Sequence, residues 1–463
     1  MERTIYQDLL KWKNNPDRKP LILLGARQVG KTFILKEFGN REFDNFIYVN
    51  CHKDTFASNL FRNFDVERIV TELELYNETD VVAGKTLLFF DEIQEIPNAI
   101  ASLKYFCEDY RSLHVVAAGS LLGISLRSEE SFPVGKVNMM KMFPMTFNEF
   151  LLANGRNKLL DLLNSHDWGA MSSMNEILTE YLRQYYFVGG MPEAVSKYIE
   201  TKDVKQVRRI QKEILDTYYY DMSKHTKTQI QRIHQVWNNI PAQLSKENKK
   251  FFYGDIKKGA RSKDYEMALQ WLIDAGLIYK VEKCKQPTAP LKFYADSSAF
   301  KLYLLDCGLL ACMSEANPNS MLLNENAFVE FKGAFTENYV LQHLKATKDV
   351  SVFYYSKDNS TMEIDFLLQN EEKVVPIEVK ASVNVKSKSL SLFVNEDFKD
   401  RKFKAIRFSL KPFTDQEWMK NIPLYAVDSY NKKVIEYNEF KKTKVNSFIA
   451  KIFRLKDYEY YSE

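Results

Sequence analysis

Short apolar runs of strand length alternate with helical stretches through the first third of the chain. LILLG (Leu21 to Gly25), FIYVN (Phe46 to Asn50), TLLFFDE (Thr86 to Glu92) and LHVVAAGS (Leu113 to Ser120) are the runs. Continuous apolar strands with helices between them predict a parallel sheet covered on both faces. From about residue 151 to 240 strand-like runs are absent, and amphipathic stretches such as ILDTYYYDMSKH predict helices. SKDYEMALQWLIDAGLIYKVEKC then reads as a helix that ends near Gly276, followed by a strand, with LKFYADSSAFKLYLLDCGLLACM after it. A helix followed by a hairpin is what a winged helix needs. Beyond about Asn317, a helix (ENAFVEFKGAFTENYVLQHLKA) precedes three strand-like runs, VSVFYYSK, TMEIDFLLQN and KVVPIEVKAS. KAIRFSL and LYAVDSY read as two more strands, which makes a second α/β domain.

Composition changes this picture little. The chain has 463 residues, too many for one ordinary domain, and at 45% hydrophobic and 14% aromatic it can bury several cores. The formal net charge is +4, so only a local patch could favour nucleic acid. No apolar run reaches the roughly 18 residues that span a bilayer. The opening stretch MERTIYQDLLKWKNN lacks the apolar core of a signal peptide, so a cytoplasmic protein without a membrane partner is expected. Cys51, Cys107, Cys284, Cys307 and Cys312 are odd in number and form no C-x-x-C pair, which predicts reduced thiols and no zinc site. His52, beside Cys51, reads as incidental.

Candidate chemistry begins after the first strand. Gly25, Gly30, Lys31 and Thr32 fit G-x-x-x-x-G-K-[ST] between a strand and a helix. The backbone N–H groups of Gly25, Ala26, Arg27, Gln28, Val29 and Gly30 would curl around the phosphates of ATP. Lys31 would reach the β- and γ-phosphates, and Thr32 would ligate Mg²⁺. In LLFFDEIQEI, the strand would carry Asp91 to the Mg²⁺ shell and leave Glu92 to activate water. Ser120 ends the next strand, where it could sense the γ-phosphate or simply cap a helix. Arg127 is the nearest candidate for a trans-acting arginine, with a solvated surface role the preferred reading. A small-molecule kinase would account for the loop but not for Glu92 after Asp91.

Together these segments resemble the AAA-type ATPases of bacteria and archaea whose C-terminal half was long catalogued as a domain of unknown function. GARQVGKT, FFDEIQEI, AAGSLLG and FPMTFNEFL carry the resemblance in the first half. YYFVGGMPEAV, FKLYLLDCGLLACM, ENYVLQHL, MEIDFLL and VVPIEVKAS carry it through the rest. The family usually has Gly-Arg before the FPMTF segment, where this chain has Gly135-Lys136, which leaves the role of Lys136 open. The resemblance implies an α/β P-loop ATPase core over 1–155 and a helical lid over 156–240. It further implies a winged helix over 241–316 and a restriction-endonuclease-like α/β domain over 317–463.

In the last of these, Glu378 and Lys380 are two apart in one strand-like run and would share a face. With Asp365 on a neighbouring strand they form a D…E-x-K set, in which Asp365 and Glu378 would hold Mg²⁺ and Lys380 would activate water or stabilise charge. Glu337, on the preceding helix, could complete the metal shell. Lys257, Lys258, Arg261 and Lys263 lie where a winged helix would face DNA, though charge runs are as often solvated faces. The expected activity is ATP hydrolysis coupled to DNA binding, with Mg²⁺-dependent cleavage by the C-terminal domain as an added step. The alternative is an ATP-gated switch or scaffold that binds protein or nucleic acid and cuts nothing. Either reading leaves room for a homo-oligomer.

Overall fold

The computed structural model describes residues 1–120, 132–225, 229–323, 332–347, 350–381 and 387–431. The fold is α/β, in two compact units. The first comprises Met1–Gly155, Arg183–Lys283 and Ala295–Gln342; the second comprises Arg156–Leu182, Cys284–Tyr294 and His343–Glu463.

The first unit is built on a five-stranded sheet. Its strands are β1 (Leu21–Gly25), β2 (Asn45–Asn50), β3 (Thr86–Asp91), β4 (His114–Ser120) and β5 (Asn138–Lys141), in the order β2-β3-β4-β1-β5. Every pairing is parallel. β1, β3 and β4 are buried along their whole length, which is why they read as unbroken apolar runs. Ile22, Leu24, Leu88, Phe90, Val115 and Ala117 pack on one side with helix residues Ile69, Leu73, Leu103 and Phe106. β5 was not expected. It is a four-residue edge strand, NMMK, whose residues alternate between half-buried and exposed, so it carries no apolar signature.

The rest of this unit is mainly helical, with helices at Pro192–Thr201, Val204–His225, Ile230–Leu244 and Ser262–Asp274. β6 (Ile278–Cys284) and β7 (Ala295–Leu304) are neighbours in the sheet order, so a helix is followed by paired strands as anticipated. The glycines of GGMPE have a packing role here. The carboxylate of Asp306 is fully buried and accepts from Gly190 N–H (2.6 Å), Leu309 N–H (3.0 Å) and Gln342 Nε2 (3.2 Å). Burial nevertheless pushes it up to about 6. Gly189 has φ +74°, and a Cβ there would fall 2.1 Å from Asp306 Oδ2. Gly189→Ala therefore meets both a left-handed backbone and a buried oxygen. It is expected to cost about 3 kcal/mol or more, read as a clear drop in thermal midpoint. A native-like midpoint would show that this corner gives way easily.

The second unit contains β8 (Val352–Ser356), β9 (Glu363–Asn370), β10 (Lys373–Val379), β11 (Ala405–Ser409), β12 (Thr414–Asp415) and β13 (Met419–Pro423). They follow the order β12-β13-β11-β10-β9-β8. β8, β9 and β10 pair antiparallel, while β10, β11 and β13 pair parallel, so the sheet is mixed. One expected strand fails. LYAVDSY is helical, beginning with a 3-10 turn at Leu424–Ala426, and the strand lies just ahead of it at β13. Residues 424 to 429 are all buried, and an apolar run buried on every side has no period to separate strand from helix.

All five cysteines are free and buried. Among the described residues, no helix is long and apolar enough to cross a membrane.

Candidate functional site

The loop between β1 and the Lys31–Glu42 helix has a shape that only certain residues permit. Gly30 caps the helix at φ +97°, a value that excludes a side chain without strain, and Gln28 is also left-handed at φ 65°. The first turn of the helix thus opens toward the loop, where its N–H groups and dipole favour an anion. The Lys31 side chain folds back over the loop. Its Nζ donates to the carbonyls of Gly25 (3.0 Å) and Ala26 (2.9 Å), and the residue is only 7% exposed. Burial pushes its ammonium down to about 8, partly offset by Glu92 and Asp91.

β3 delivers the second element to the same place. Thr32 Oγ1 donates to Asp91 Oδ2 at 2.9 Å, across 59 residues of sequence. Asp91 also accepts from Tyr48 Oη (3.1 Å) and from Glu92 N–H (3.2 Å). Burial raises its pKa from the ordinary carboxylate value, while these donors oppose the rise. The neighbouring hydroxyl and carboxylate are hard oxygen donors of the kind Mg²⁺ takes alongside phosphate and water. Glu92 follows at φ 51°, a left-handed conformation that costs a residue with a Cβ about 1 kcal/mol or more. Its carboxylate accepts from buried Gln94 Nε2 at 2.6 Å, which fixes its direction.

The long Val204–His225 helix also reaches the loop. Arg27 Nη1 pairs with Asp221 Oδ1 at 2.7 Å, and Tyr218 Oη donates to the Arg27 carbonyl at 2.8 Å. Arg27, Ser120, Tyr218, Asp221, Trp271, Ala275 and Leu277 line a small cleft. Ser120 is thereby beside the loop at the end of β4. Lys136 pairs with Glu108 at 2.8 Å on the surface. Arg127 lies outside the described residues.

In the second unit, β9 and β10 pair up to Phe366 opposite Ile377, with Asp365 and Glu378 the next residue on each strand. Glu378 is 4% exposed, and its Oε1 is 3.0 Å from Lys380 Nζ. Its Oε2 is buried without a hydrogen-bond partner among the described residues. Asp365 Oδ2 accepts from Val379 N–H at 2.7 Å. Glu337 belongs to the first unit, where Lys249 Nζ (2.7 Å) and Tyr303 Oη (3.0 Å) hold its carboxylate. Coulombic attraction to Lys249 and Lys301 keeps it charged against burial, below the ordinary value. Among the described residues no group of three or more His, Cys, Asp or Glu side chains is arranged to hold a metal. Lys257, Lys258, Arg261 and Lys263 are exposed.

Residues 17–151 match the profile of the AAA domain family. This range holds the whole loop, Asp91, Glu92 and Ser120, so the first unit carries an AAA-type P-loop ATPase fold. Residues 179–320 and 332–427 match two further families, each described as a domain of unknown function (DUF8612 and DUF4143). No curated protein matches the chain. Among solved structures, the Walker-type ATPase of Pyrococcus abyssi is 14% identical, with a TM-score of 0.43 over 67% of this chain and 95% of that one. The Aeropyrum pernix Orc1 protein, solved in complex with DNA, is 13% identical with a TM-score of 0.28, over 70% and 95%. Cdc6p of Pyrobaculum aerophilum is 12% identical with a TM-score of 0.24, over 69% and 93%.

Sequence reasoning missed the contacts to the loop backbone from Tyr218 and from Arg3. Arg3 Nη1 donates to the Val29 carbonyl at 2.9 Å. Both side chains meet backbone oxygens, so no residue pattern announces them. Tyr218 lies in the stretch ILDTYYYDMSKH, whose amphipathic pattern predicts a helix but does not say what a tyrosine hydroxyl on it meets.

Proposed function

We propose that the chain is an ATP-hydrolysing AAA-type ATPase that acts on DNA. The contact of Thr32 with Asp91, beside a loop closed over by Lys31, is the observation that carries the reading. ATP would replace the Gly25 and Ala26 carbonyls as the partner of Lys31, exchanging two neutral acceptors for a polyanion. Thr32 and Asp91 would hold Mg²⁺, which neutralises charge on the β- and γ-phosphates. Glu92 would orient a water and take its proton as the water attacks the γ-phosphorus. The bond to the β–γ bridging oxygen breaks, leaving ADP and inorganic phosphate. Purified chain should release phosphate from ATP only when a divalent cation is present. Release that ignores the cation would remove the Thr32–Asp91 assignment.

The depressed Lys31 amine gives a pH prediction. A triphosphate beside it raises its pKa, so below about 8 the amine is charged both with and without nucleotide. Above that value the empty loop holds a neutral amine, which must take up a proton as ATP enters. Affinity then falls by up to about tenfold per pH unit, and is expected to be about tenfold weaker at pH 9 than at pH 7. Titration calorimetry at the two pH values checks this, and equal affinities would mean that Lys31 stays charged in the empty loop.

The partner and the C-terminal chemistry form the finer part of the proposal. Domains over 241–316 and 317–463 would act as a winged helix and a nuclease-like module. The helix and paired strands β6 and β7, with exposed Lys257, Lys258, Arg261 and Lys263, support the first. Asp365 and Glu378 on neighbouring strands, with a buried Glu378 oxygen that has no hydrogen-bond partner among the described residues, support a cation site in the second. Against cutting, Lys380 already neutralises Glu378, and Asp365 is tied to Val379 N–H. Those two contacts favour the rival, an ATP-gated switch that cuts nothing. Digestion of linear, nicked and single-stranded DNA with Mg²⁺ or Mn²⁺ separates them. Cutting by native chain and not by Asp365→Ala supports the nuclease; intact DNA from a chain active on ATP supports the switch.

A further inference from the structure

A phosphate loop works through N–H groups that face inward, and something outside the loop must fix which way they face. A trans peptide unit is planar, with its carbonyl and its N–H pointing in opposite directions. Holding the carbonyl of one residue outward therefore directs the next residue's N–H inward. Two carbonyls of this loop are held by side chains from distant segments. Arg3 Nη1 donates to Val29 O at 2.9 Å, and Val29 shares its peptide unit with Gly30. Tyr218 Oη donates to Arg27 O at 2.8 Å, and Arg27 shares its peptide unit with Gln28. Gly30 and Gln28 are the two left-handed residues of the loop, so these are the peptides that most need an external hold.

Both holders are themselves fixed. Arg3 is 8% exposed, its Nη2 donates to the Phe143 carbonyl at 2.6 Å, and its Nε lies 3.1 Å from Glu149 Oε2. Glu149 in turn accepts from Thr4 N–H (2.6 Å) and Thr146 N–H (2.9 Å). Tyr218 is 1% exposed, and its ring meets Trp237 edge-on with centroids 6.4 Å apart. We infer that Arg3 and Tyr218 are positioning residues for polyphosphate. They hold the Val29 and Arg27 carbonyls outward and so aim the Gly30 and Gln28 N–H groups at the anion. The inference rests on the loop's reading as an ATP site. It adds that the site is completed by a residue 26 positions before Val29 and by one 191 positions after Arg27.

The test compares native chain, Tyr218→Phe and Arg3→Lys for affinity toward ATP and toward inorganic tripolyphosphate, alongside thermal melting. Tyr218→Phe removes one hydroxyl and keeps the packing, so it stands even if Arg3→Lys folds poorly. Each variant should bind both ligands about tenfold more weakly, by the same factor for the two, with Tyr218→Phe melting close to native. A spectroscopic readout separates positioning from general loosening. In chain labelled with ¹⁵N-glycine, the Gly30 amide signal, assigned by its loss in Gly30→Ala, should shift on ATP binding in native protein. It should shift less in Arg3→Lys. Affinities within twofold of native in both variants overturn the inference, and a loss in only one overturns its paired form. A native chain that binds neither ligand overturns the ATP reading and the inference together.

Discussion

Lys31→Ala is expected to abolish phosphate release, with a fall of at least about a hundredfold, and to weaken ATP binding as well. The side chain is buried over the loop, and its three N–H donors already meet two loop carbonyls. Alanine removes the ammonium that folds back over the loop carbonyls. The Gly25 and Ala26 carbonyls then lose their donor, and an incoming triphosphate meets oxygen dipoles where it needs positive charge. Both the ground state and the transition state depend on that charge, so KM should rise while kcat falls. Phosphate release under saturating and subsaturating ATP separates the two effects. A variant with kcat within a few-fold of native would mean that turnover occurs elsewhere on the chain.

Glu92→Gln should give a different pattern: nucleotide binding close to native, with turnover lower by about a hundredfold or more. Glu92 lies outside the loop that holds phosphate, and its carboxylate is aimed by Gln94. Glutamine keeps the size and can still hydrogen-bond, but it cannot accept the proton that the attacking water must lose. The strained φ of 51° should survive the change, because the backbone around it is set by β3 and the following turn. Equal turnover in native and Glu92→Gln would move the base to another group. Loss of binding with loss of turnover would give Glu92 a structural role.

Much of the ATPase half was legible in the sequence because its chemistry demands contiguous residues. Gly25 to Thr32 must be consecutive to wrap one polyanion, and Asp91 must end an apolar strand to arrive beside Thr32. The buried strands β1, β3 and β4 were visible because complete burial makes them apolar throughout, while β5 was not, since an edge strand has no need to be apolar. Arg3 and Tyr218 left no trace because a carbonyl accepts from any donor that geometry brings near. The GGMPE segment stood out as a family signature, and only the structure gives it a physical reason, the room needed at Gly189 for Asp306. In the C-terminal part, strand-like runs with polar turns between them located β9 and β10, which carry Asp365 and Glu378 on neighbouring strands. Glu337 was grouped with them from its place on the preceding helix, and its partners in the first unit are Lys249 and Tyr303. LYAVDSY was misread because complete burial erases the period on which such assignments depend.

The most direct test of the account is a single-turnover assay with γ-labelled ATP and excess protein, measuring bound and hydrolysed nucleotide in the same sample. Native chain, Lys31→Ala and Glu92→Gln are run side by side with Mg²⁺. The account predicts binding and hydrolysis for native chain, neither for Lys31→Ala, and binding without hydrolysis for Glu92→Gln. Hydrolysis at the native rate in either variant, or none in a native chain saturated with ATP, would contradict it.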